Sequence, residues 1–343
     1  MTNFVDLFSG CGGASIGLRD AGLVPVAAVE LEPSAAAAYE ANLGVAPVVA
    51  DIRGLSGADV LGRGELALLF ASPPCQGFSM LRAGVPTDRT RNSLVAEYLR
   101  LVSELRPRHT VMENVPGMVN RSWYHLFRAF LTGLKNLGYR AVWDVVDAAS
   151  HGVPQHRLRV IVVASRTTSP VLPALTHGPP AKPGQLPLTG AVPWQTVRGT
   201  IGNCPPLANG ERSTDPYHFA SVHTDLVLRR LRAVPLGGSA VDLPEELRPN
   251  YHDQFGKYKR LWWDRPAPTL MSSCTMISGR GMVHPDQDRA ISLREAMLLQ
   301  SFPRCTELRG SSDQMALQIG NAVPPLLARQ IGTAVLAMGT GCN

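Results

Sequence analysis

Lysine is scarce in this chain, with four residues against twenty-nine arginines in 343. Cysteine is sparse too: Cys11, Cys75, Cys204, Cys274, Cys305 and Cys342 lie far apart, with no C-x-x-C pair, so neither a disulfide framework nor a zinc site is indicated and no metal is expected. No run approaches the ~18 consecutive apolar residues of a membrane span, and Met1-Thr2-Asn3-Phe4-Val5-Asp6 has no basic stretch leading into an apolar one. The chain is therefore expected to be cytoplasmic, with no membrane partner. A phosphate-cradling G-x-x-x-x-G-K-[ST] loop is also missing, which disfavours ATP as a ligand.

What is present has the composition of an ordinary globule, with enough chain for one large domain or two. The net charge of +6 is unevenly distributed: residues 1–75 hold 3 Lys and Arg against 8 Asp and Glu, and the remainder holds 30 against 19. A basic remainder suits a polyanionic partner. Codon bias accounts equally well for arginine beside so much Ala, Gly and Pro.

The first third has a regular rhythm. A strand over 3–7 runs into Phe8-Ser9-Gly10-Cys11-Gly12-Gly13 and a helix over 14–21, the opening of a nucleotide-type βαβ unit, although the glycines are out of register with G-x-G-x-x-G. Strands over 25–29 and 48–50 follow, separated by a helix over 34–42 with Pro33 near its start. These three strands end at Asp6, Glu30 and Asp51. A carboxylate closing the second strand can accept hydrogen bonds from both hydroxyls of a ribose. With no phosphate loop beside it, a phosphate-poor nucleoside such as S-adenosylmethionine fits, while simple solvated strand ends remain the alternative.

The apolar run 66–70 is then stopped by two prolines in Ala71-Ser72-Pro73-Pro74-Cys75-Gln76-Gly77-Phe78-Ser79. A cysteine held at the exit of a strand suits a nucleophile, because open α/β sheets place ligands at the carboxyl ends of their strands and the thiolate is the attacking form. A buried, inert cysteine at a structural turn is the alternative. Residues 80–92, with Arg82, Arg89 and Arg91, read as a mobile basic loop beside it, or as an ordinary exposed loop.

A helix over 93–105 and a strand over 109–112 ending at Glu113 follow, then a helix over 123–137 and strands over 139–146 and 160–164. The last is preceded by Gln155-His156-Arg157-Leu158-Arg159, whose two arginines alternate and are expected on one face. From about 166 to 258 the rhythm breaks, proline and glycine are dense, and helical periodicity survives only near 224–233. A helix over 293–300 and a C-terminal helix introduced by 318–325 complete the reading.

Taken in order, Asp6-Leu7-Phe8-Ser9-Gly10-Cys11-Gly12-Gly13, Glu30, Asp51-Ile52, Pro73-Pro74-Cys75-Gln76, Glu113-Asn114-Val115, Gln155-x-Arg157-x-Arg159, Arg294-Glu295-Ala296 and Gly320-Asn321-Ala322-Val323-Pro324 resemble the motifs of the C5-cytosine DNA methyltransferases. The resemblance implies an α/β fold: a Rossmann-like, mostly parallel sheet of the S-adenosylmethionine-dependent methyltransferase kind, with a smaller irregular target-recognition domain. The expected divisions are 1–165 for catalysis and cofactor, 166–262 for target recognition, 263–317 for connecting motifs, and 318–343 for a C-terminal helix returning to the catalytic domain.

The same resemblance implies roles. Cys75, Glu113, Arg157 and Arg159 are the catalytic set, with Arg157 contacting the target or its backbone. Phe8, Gly10, Gly12, Glu30, Asp51, Ile52, Pro73, Leu94, Asn321 and Val323 hold S-adenosylmethionine, and S-adenosylhomocysteine is the product. Gln76, Ser79, Arg82, Arg89 and Arg91 meet double-stranded DNA. Arg229, Arg230, Arg232, Lys257, Lys259 and Arg260 are DNA contacts or solvated surface. A monomer is expected, with a cognate restriction endonuclease as the partner in a restriction-modification pair. Three other readings fit less of the chain: a tRNA-modifying relative lacks its Cys-Phe-Thr tripeptide here, a silent DNA-binding homologue leaves the catalytic set unexplained, and a dinucleotide oxidoreductase leaves Pro73-Pro74-Cys75-Gln76 without a role.

Overall fold

In the computed structural model, which describes residues 2–62, 64–74, 94–180, 191–249, 257–277 and 281–339, five strands run parallel: β1 (Asn3–Leu7), β2 (Val24–Glu30), β3 (Val48–Val49), β4 (Leu68–Ala71) and β5 (His109–Asn114). With β6 (Arg140–Asp147) and β7 (Leu158–Ser165) they form a seven-stranded sheet of order β3-β2-β1-β4-β5-β7-β6. β7 is antiparallel to both of its neighbours, β5 and β6. Every residue of β4 and β5 is buried, which explains why these central strands read as unbroken apolar runs: helices cover both faces of such a sheet.

The chain forms two compact units, one of Met1–His151, Leu158–Leu175 and Val323–Asn343, the other of Gly152–Arg157 and Thr176–Ala322. The first unit extends past the expected boundary at 165. Arg166 stays with it because its backbone N–H donates to the Arg108 carbonyl at 3.1 Å and its Nε to that of Pro107 at 3.0 Å. Residues 263–317, read as connecting motifs, belong to the second unit throughout.

In the first unit, α1 (Gly13–Asp20), α2 (Pro33–Leu43), α3 (Gly57–Leu61), α4 (Leu94–Leu105) and α5 (Tyr124–Asn136) connect the strands. The amphipathic pair α4 and α5 turns Tyr98, Leu101 and Val102 on one, and Phe127, Phe130 and Leu134 on the other, into one core with β4 and β5. The second unit carries α6 (Val197–Ile201), α7 (Asp225–Ala233), α8 (Leu293–Leu299) and α9 (Ser312–Asn321), with strands of only two residues between them. α8 is anchored by a buried pair: the two terminal nitrogens of Arg289 each donate to one oxygen of Glu295 at 2.8 Å, while Ser292 and Glu295 form a capping box.

The last helix, α10 (Pro325–Gly339), packs in the first unit against α1. Glycine permits the approach: a Cβ at Gly17 would lie 2.0 Å from the Pro325 carbonyl oxygen and 2.8 Å from the Ala328 Cβ, and one at Gly332 would lie 2.8 Å from the Ala21 Cβ. Because backbone rather than a mobile side chain blocks the space at Gly17, Gly17→Ala is expected to cost at least about 2 kcal/mol in urea unfolding. Gly54→Ala, where a Cβ meets nothing within 4 Å, serves as the control and is expected to change stability by less than about 0.5 kcal/mol.

Candidate active site

Strand order reverses between β1 and β4, the position at which open α/β sheets leave a crevice beyond the carboxyl ends of their strands. β1 exits there into Phe8, whose φ of 60° is uncommon for a residue with a side chain, and into Gly10 and Gly12 at φ 53° and 91°. A Cβ at Gly10 would meet nothing within 4 Å, so the loop borders open space, whereas one at Gly12 would strike Leu43 and Tyr39. The loop is tied to β2 through Glu30, whose Oε2 accepts from the Gly10 N–H at 2.7 Å and whose Oε1 accepts from the Leu31 and Glu32 N–H groups, each at 2.9 Å.

Next to β2, the end of β3 leads to Asp51, which caps a short 3-10 turn (Ile52–Gly54). Hydrogen bonds from the Arg53 side chain and backbone hold the Asp51 carboxyl down to about 2, so it is an ionised acceptor at any ordinary pH. Ile52 is buried beside it. Taken together, this edge offers open space at a glycine turn, spare acceptor capacity on the Glu30 Oε2 and an exposed carboxylate one strand further on. That acceptor-rich set fits a nucleoside with free ribose hydroxyls and an exocyclic amine.

Beneath the loop, Asp6 is fully buried, with Oδ2 accepting from the Ser15 hydroxyl at 2.6 Å and the Tyr39 hydroxyl 2.9 Å beyond. Burial, reinforced by the charge of Glu30 and only partly offset by Ser15, pushes the Asp6 carboxyl up to about 7.

β4 leaves the sheet alongside β1. The Ser72 N–H donates to the Leu7 carbonyl at 3.3 Å, and its hydroxyl donates to the Phe8 carbonyl at 3.4 Å. Pro73 is buried and its carbonyl accepts from the Asn114 side chain at 3.2 Å, while the Asn114 Oδ1 accepts from the Val115 N–H at 2.8 Å. The turn leading to Cys75 is thus pinned to the end of β5; Cys75 itself lies outside the described residues. Asn114 belongs to the Glu113-Asn114-Val115 motif, but its role as the anchor of this turn depends on a contact between strands that sequence order does not reveal.

At the same end of β5, Glu113 meets Arg159, Oε1 to Nε at 2.7 Å, with only about a tenth of either side chain exposed. The antiparallel course of β7 produces this pair. β7 begins where β5 ends, Glu113 faces Ile161 across the ladder, and Arg159, two residues before Ile161, shares its face. A charge-assisted pair at the mouth of the sheet can present a carboxyl and a guanidinium together to a polar heterocycle.

A family model for C-5 cytosine-specific DNA methylases matches residues 2–337. The chain belongs to the C-5 cytosine-specific DNA methylase family. It is a DNA (cytosine-5)-methyltransferase, and family membership implies use of S-adenosylmethionine and a DNA substrate. It is 34% identical over 344 residues to Type II methyltransferase M1.HphI of Haemophilus parahaemolyticus, covering 98% of this chain and 87% of the relative. To Type II methylase M.HgiDII of Herpetosiphon aurantiacus it is 33% identical over 345 residues, covering 96% and 94%. In fold it resembles a prophage-encoded E. coli chain assigned as a DNA modification methyltransferase (TM-score 0.77, 22% identity, 99% and 100% of the two chains). The S. pombe Dnmt2 methyltransferase is also similar in fold (TM-score 0.64, 16% identity, 99% and 100%).

Other motif residues of the methylase have separate positions. In the first unit, Leu94 begins α4 and Val323 is buried just before α10. In the second, Asn321 is exposed as the last residue of α9. Gln76, Ser79, Arg82, Arg89 and Arg91 lie outside the described residues, as Cys75 does. Two expectations need correction. Arg157 does not continue β7 on the face of Arg159: Gln155 bridges to Ala267 instead, and Arg157 is 2% exposed with its terminal nitrogens donating to backbone carbonyls of its own unit. Arg260 is likewise buried, donating to the carbonyls of Val234, His284 and Pro285 and to Asp288, because a guanidinium can satisfy several acceptors at once where a lysine cannot. Arg230 and Lys259 also donate to carbonyls, those of Leu247 at 2.8 Å and Gly237 at 2.7 Å.

Two predictions follow from the geometry beneath and beside the glycine loop. The native Asp6 carboxyl titrates near 7 against an ordinary value of 3.8, so its contribution to stability is fully present below about pH 4 and is lost as pH rises through 7. Asp6→Asn removes that loss, and urea unfolding is expected to show the variant gaining on wild type between pH 5 and pH 8; a difference that does not vary with pH contradicts the assignment. Asn114→Ala releases the turn before Cys75, and a kcat lower by roughly 10- to 100-fold with stability changed far less is expected from steady-state kinetics and thermal melts.

Proposed function

We propose that the chain methylates C5 of a cytosine within a specific duplex DNA sequence, through a covalent adduct between Cys75 and C6, and that it protects DNA as the modification partner of a type II restriction endonuclease. The observation that carries the mechanistic reading is the Glu113–Arg159 pair at 2.7 Å at the end of the same strand that anchors the Pro73-Pro74 turn. The restriction role draws on the names of the relatives, both type II enzymes. Every motif lies on one chain, and a monomer is taken as the active form, working in the compartment that holds the DNA.

Cytosine C5 is a weak nucleophile. Addition of the Cys75 thiolate at C6 forms a C–S bond and moves electron density to C5, dividing one hard substitution into easier steps. Glu113 shares a proton with cytosine N3 and so neutralises the charge that develops on the ring, while Arg159 holds Glu113 and donates to the O2 edge. S-adenosylmethionine, held by the glycine loop, Glu30, Asp51 and Ile52, with Phe8 against its adenine and Pro73, Leu94 and Val323 toward its methionine, supplies an electrophilic methyl group. Once C5 carries that methyl, a base removes the C5 proton, the electrons re-form the C5–C6 double bond, and Cys75 leaves as thiolate. Because C6 is buried in a stacked duplex, the target base has to be extruded, and Gln76, Ser79, Arg82, Arg89 and Arg91 are assigned to the DNA around the vacated position.

The test is transfer of labelled methyl from S-adenosylmethionine to duplex DNA, with tRNA in parallel and the products resolved as nucleosides. 5-Methyldeoxycytidine from DNA alone is expected. Cys75→Ser is expected to abolish that product while retaining DNA binding; label in tRNA alone, or undiminished transfer by the variant, would overturn the reading.

A further inference from the structure

The glycine loop between β1 and α1 is backed by α2, and Tyr39 is the side chain that meets it twice. The two ends of the loop are stapled together by the Ser15 hydroxyl, which donates to the Asp6 Oδ2 at 2.6 Å. Because the single Ser15 hydroxyl proton goes to Asp6, the 2.9 Å contact between the Ser15 and Tyr39 hydroxyls has Tyr39 as its donor. Burial pushes the Tyr39 phenol well above its ordinary value, so it keeps that proton. Asp6, Ser15 and Tyr39 are all fully buried.

The Tyr39 ring makes the second contact. A Cβ at Gly12 would lie 3.1 Å from the Tyr39 Cδ2 and 2.8 Å from the Cδ1 of Leu43, one helical turn further along α2. Asn42 adds a side-chain donor to the Cys11 carbonyl at 3.4 Å. Residues 39, 42 and 43 share a face because they stand three and four positions apart on a helix. On its other side the loop has open space at Gly10 and the hydrogen bond from the Gly10 N–H to Glu30. Phe8, Gly10 and Gly12 all have positive φ, and a backbone of that kind persists where its neighbours over-determine it.

We propose that Tyr39 is a positioning residue for the cofactor: its ring on Gly12 and its hydroxyl on Ser15 hold the glycine loop in the conformation that receives S-adenosylmethionine. A loop released from this support has to be ordered by the ligand, and that ordering is subtracted from affinity. The inference rests on the cofactor reading given under Proposed function, and every group it uses belongs to the first unit. It gives a task to a buried side chain that lies outside all of the motifs.

The test measures S-adenosylmethionine affinity by calorimetry, steady-state methyl transfer and thermal melts for wild type, Tyr39→Phe, Tyr39→Leu, Ser15→Ala and the double variant Tyr39→Phe with Ser15→Ala. Tyr139→Phe is the control for loss of a buried hydroxyl. Tyr139 donates to the Pro107 carbonyl at 2.5 Å beside the start of β5, the opposite edge of the sheet from the loop. Tyr39→Phe is expected to weaken S-adenosylmethionine binding roughly fivefold, with kcat at saturating cofactor and KM for DNA within about twofold of wild type. Tyr39→Leu, which also removes the ring from Gly12, is expected to weaken binding by about fiftyfold. The double variant is expected to bind no more weakly than Ser15→Ala alone, because the Tyr39 hydroxyl acts through Ser15. Tyr139→Phe is expected to lower the melting temperature about as much as Tyr39→Phe while leaving cofactor affinity within about twofold. If Tyr39→Leu fails to fold, Tyr39→Phe carries the test, since it keeps the ring. The inference is overturned by unchanged cofactor affinity in Tyr39→Phe, by an equal loss in Tyr139→Phe, or by additive losses in the double variant. A wild-type protein that binds no S-adenosylmethionine defeats the cofactor reading itself, whereas wild-type binding with unaffected Tyr39 variants defeats only the role given to Tyr39.

Discussion

Reversal of strand order between β1 and β4 is the constraint on which the catalytic unit depends. Connections from these two neighbouring strands leave in opposite directions along the sheet, so the space beyond their carboxyl ends is not filled by a crossing helix. Everything chemically notable in the first unit collects along that edge. β1 delivers the glycine loop, β2 delivers Glu30, β3 delivers Asp51, β4 delivers the proline turn before Cys75, and β5 delivers Glu113. A wholly parallel sheet would have put the start of its next strand at the far edge. The one antiparallel strand, β7, starts at the near edge and brings Arg159 to Glu113.

Much of this was legible in the residues, for physical reasons that also mark the limits. Strands buried on both faces show as apolar runs, prolines and glycines mark the exits, and carboxylates at those exits are conspicuous against apolar neighbours. Pairing between strands distant in sequence is not encoded in any local pattern. Neither the contact of Asn114 with the Pro73 carbonyl nor the burial of Asp6 against Ser15 and Tyr39 has a local signature in the sequence. Alternation predicted that Arg157 and Arg159 share a face, which holds only while a strand continues. β7 starts at Leu158, and the preceding residues pair with a segment more than a hundred positions away.

The second unit changes the meaning of the basic charge. Counting arginines along the sequence suggests a surface prepared for a polyanion, yet Arg157, Arg260, Arg289 and Arg294 are all buried. Arg289 and Arg294 are held by Glu295 and Asp215, and Arg260 by several carbonyls and Asp288. An irregular unit with two-residue strands has few ladder hydrogen bonds with which to satisfy its backbone. Arginine side chains supply those donors from the side, at the cost of desolvating a weakly hydrated cation. Part of the net charge is thus structural, and its position along the chain is a poor guide to where DNA is met.

The central claim is a covalent bond between Cys75 and C6 of a cytosine in duplex DNA. The most direct measurement is a trapping experiment with target DNA carrying 5-fluorocytosine, incubated with the protein and S-adenosylmethionine and analysed by denaturing gel and peptide mass spectrometry. Fluorine at C5 leaves no proton to remove after methyl transfer, so elimination of the thiolate is blocked. The account predicts a denaturation-resistant complex whose cross-linked peptide carries the nucleotide on Cys75. Methylation of ordinary DNA without any such complex, or a cross-link at another residue, would contradict it.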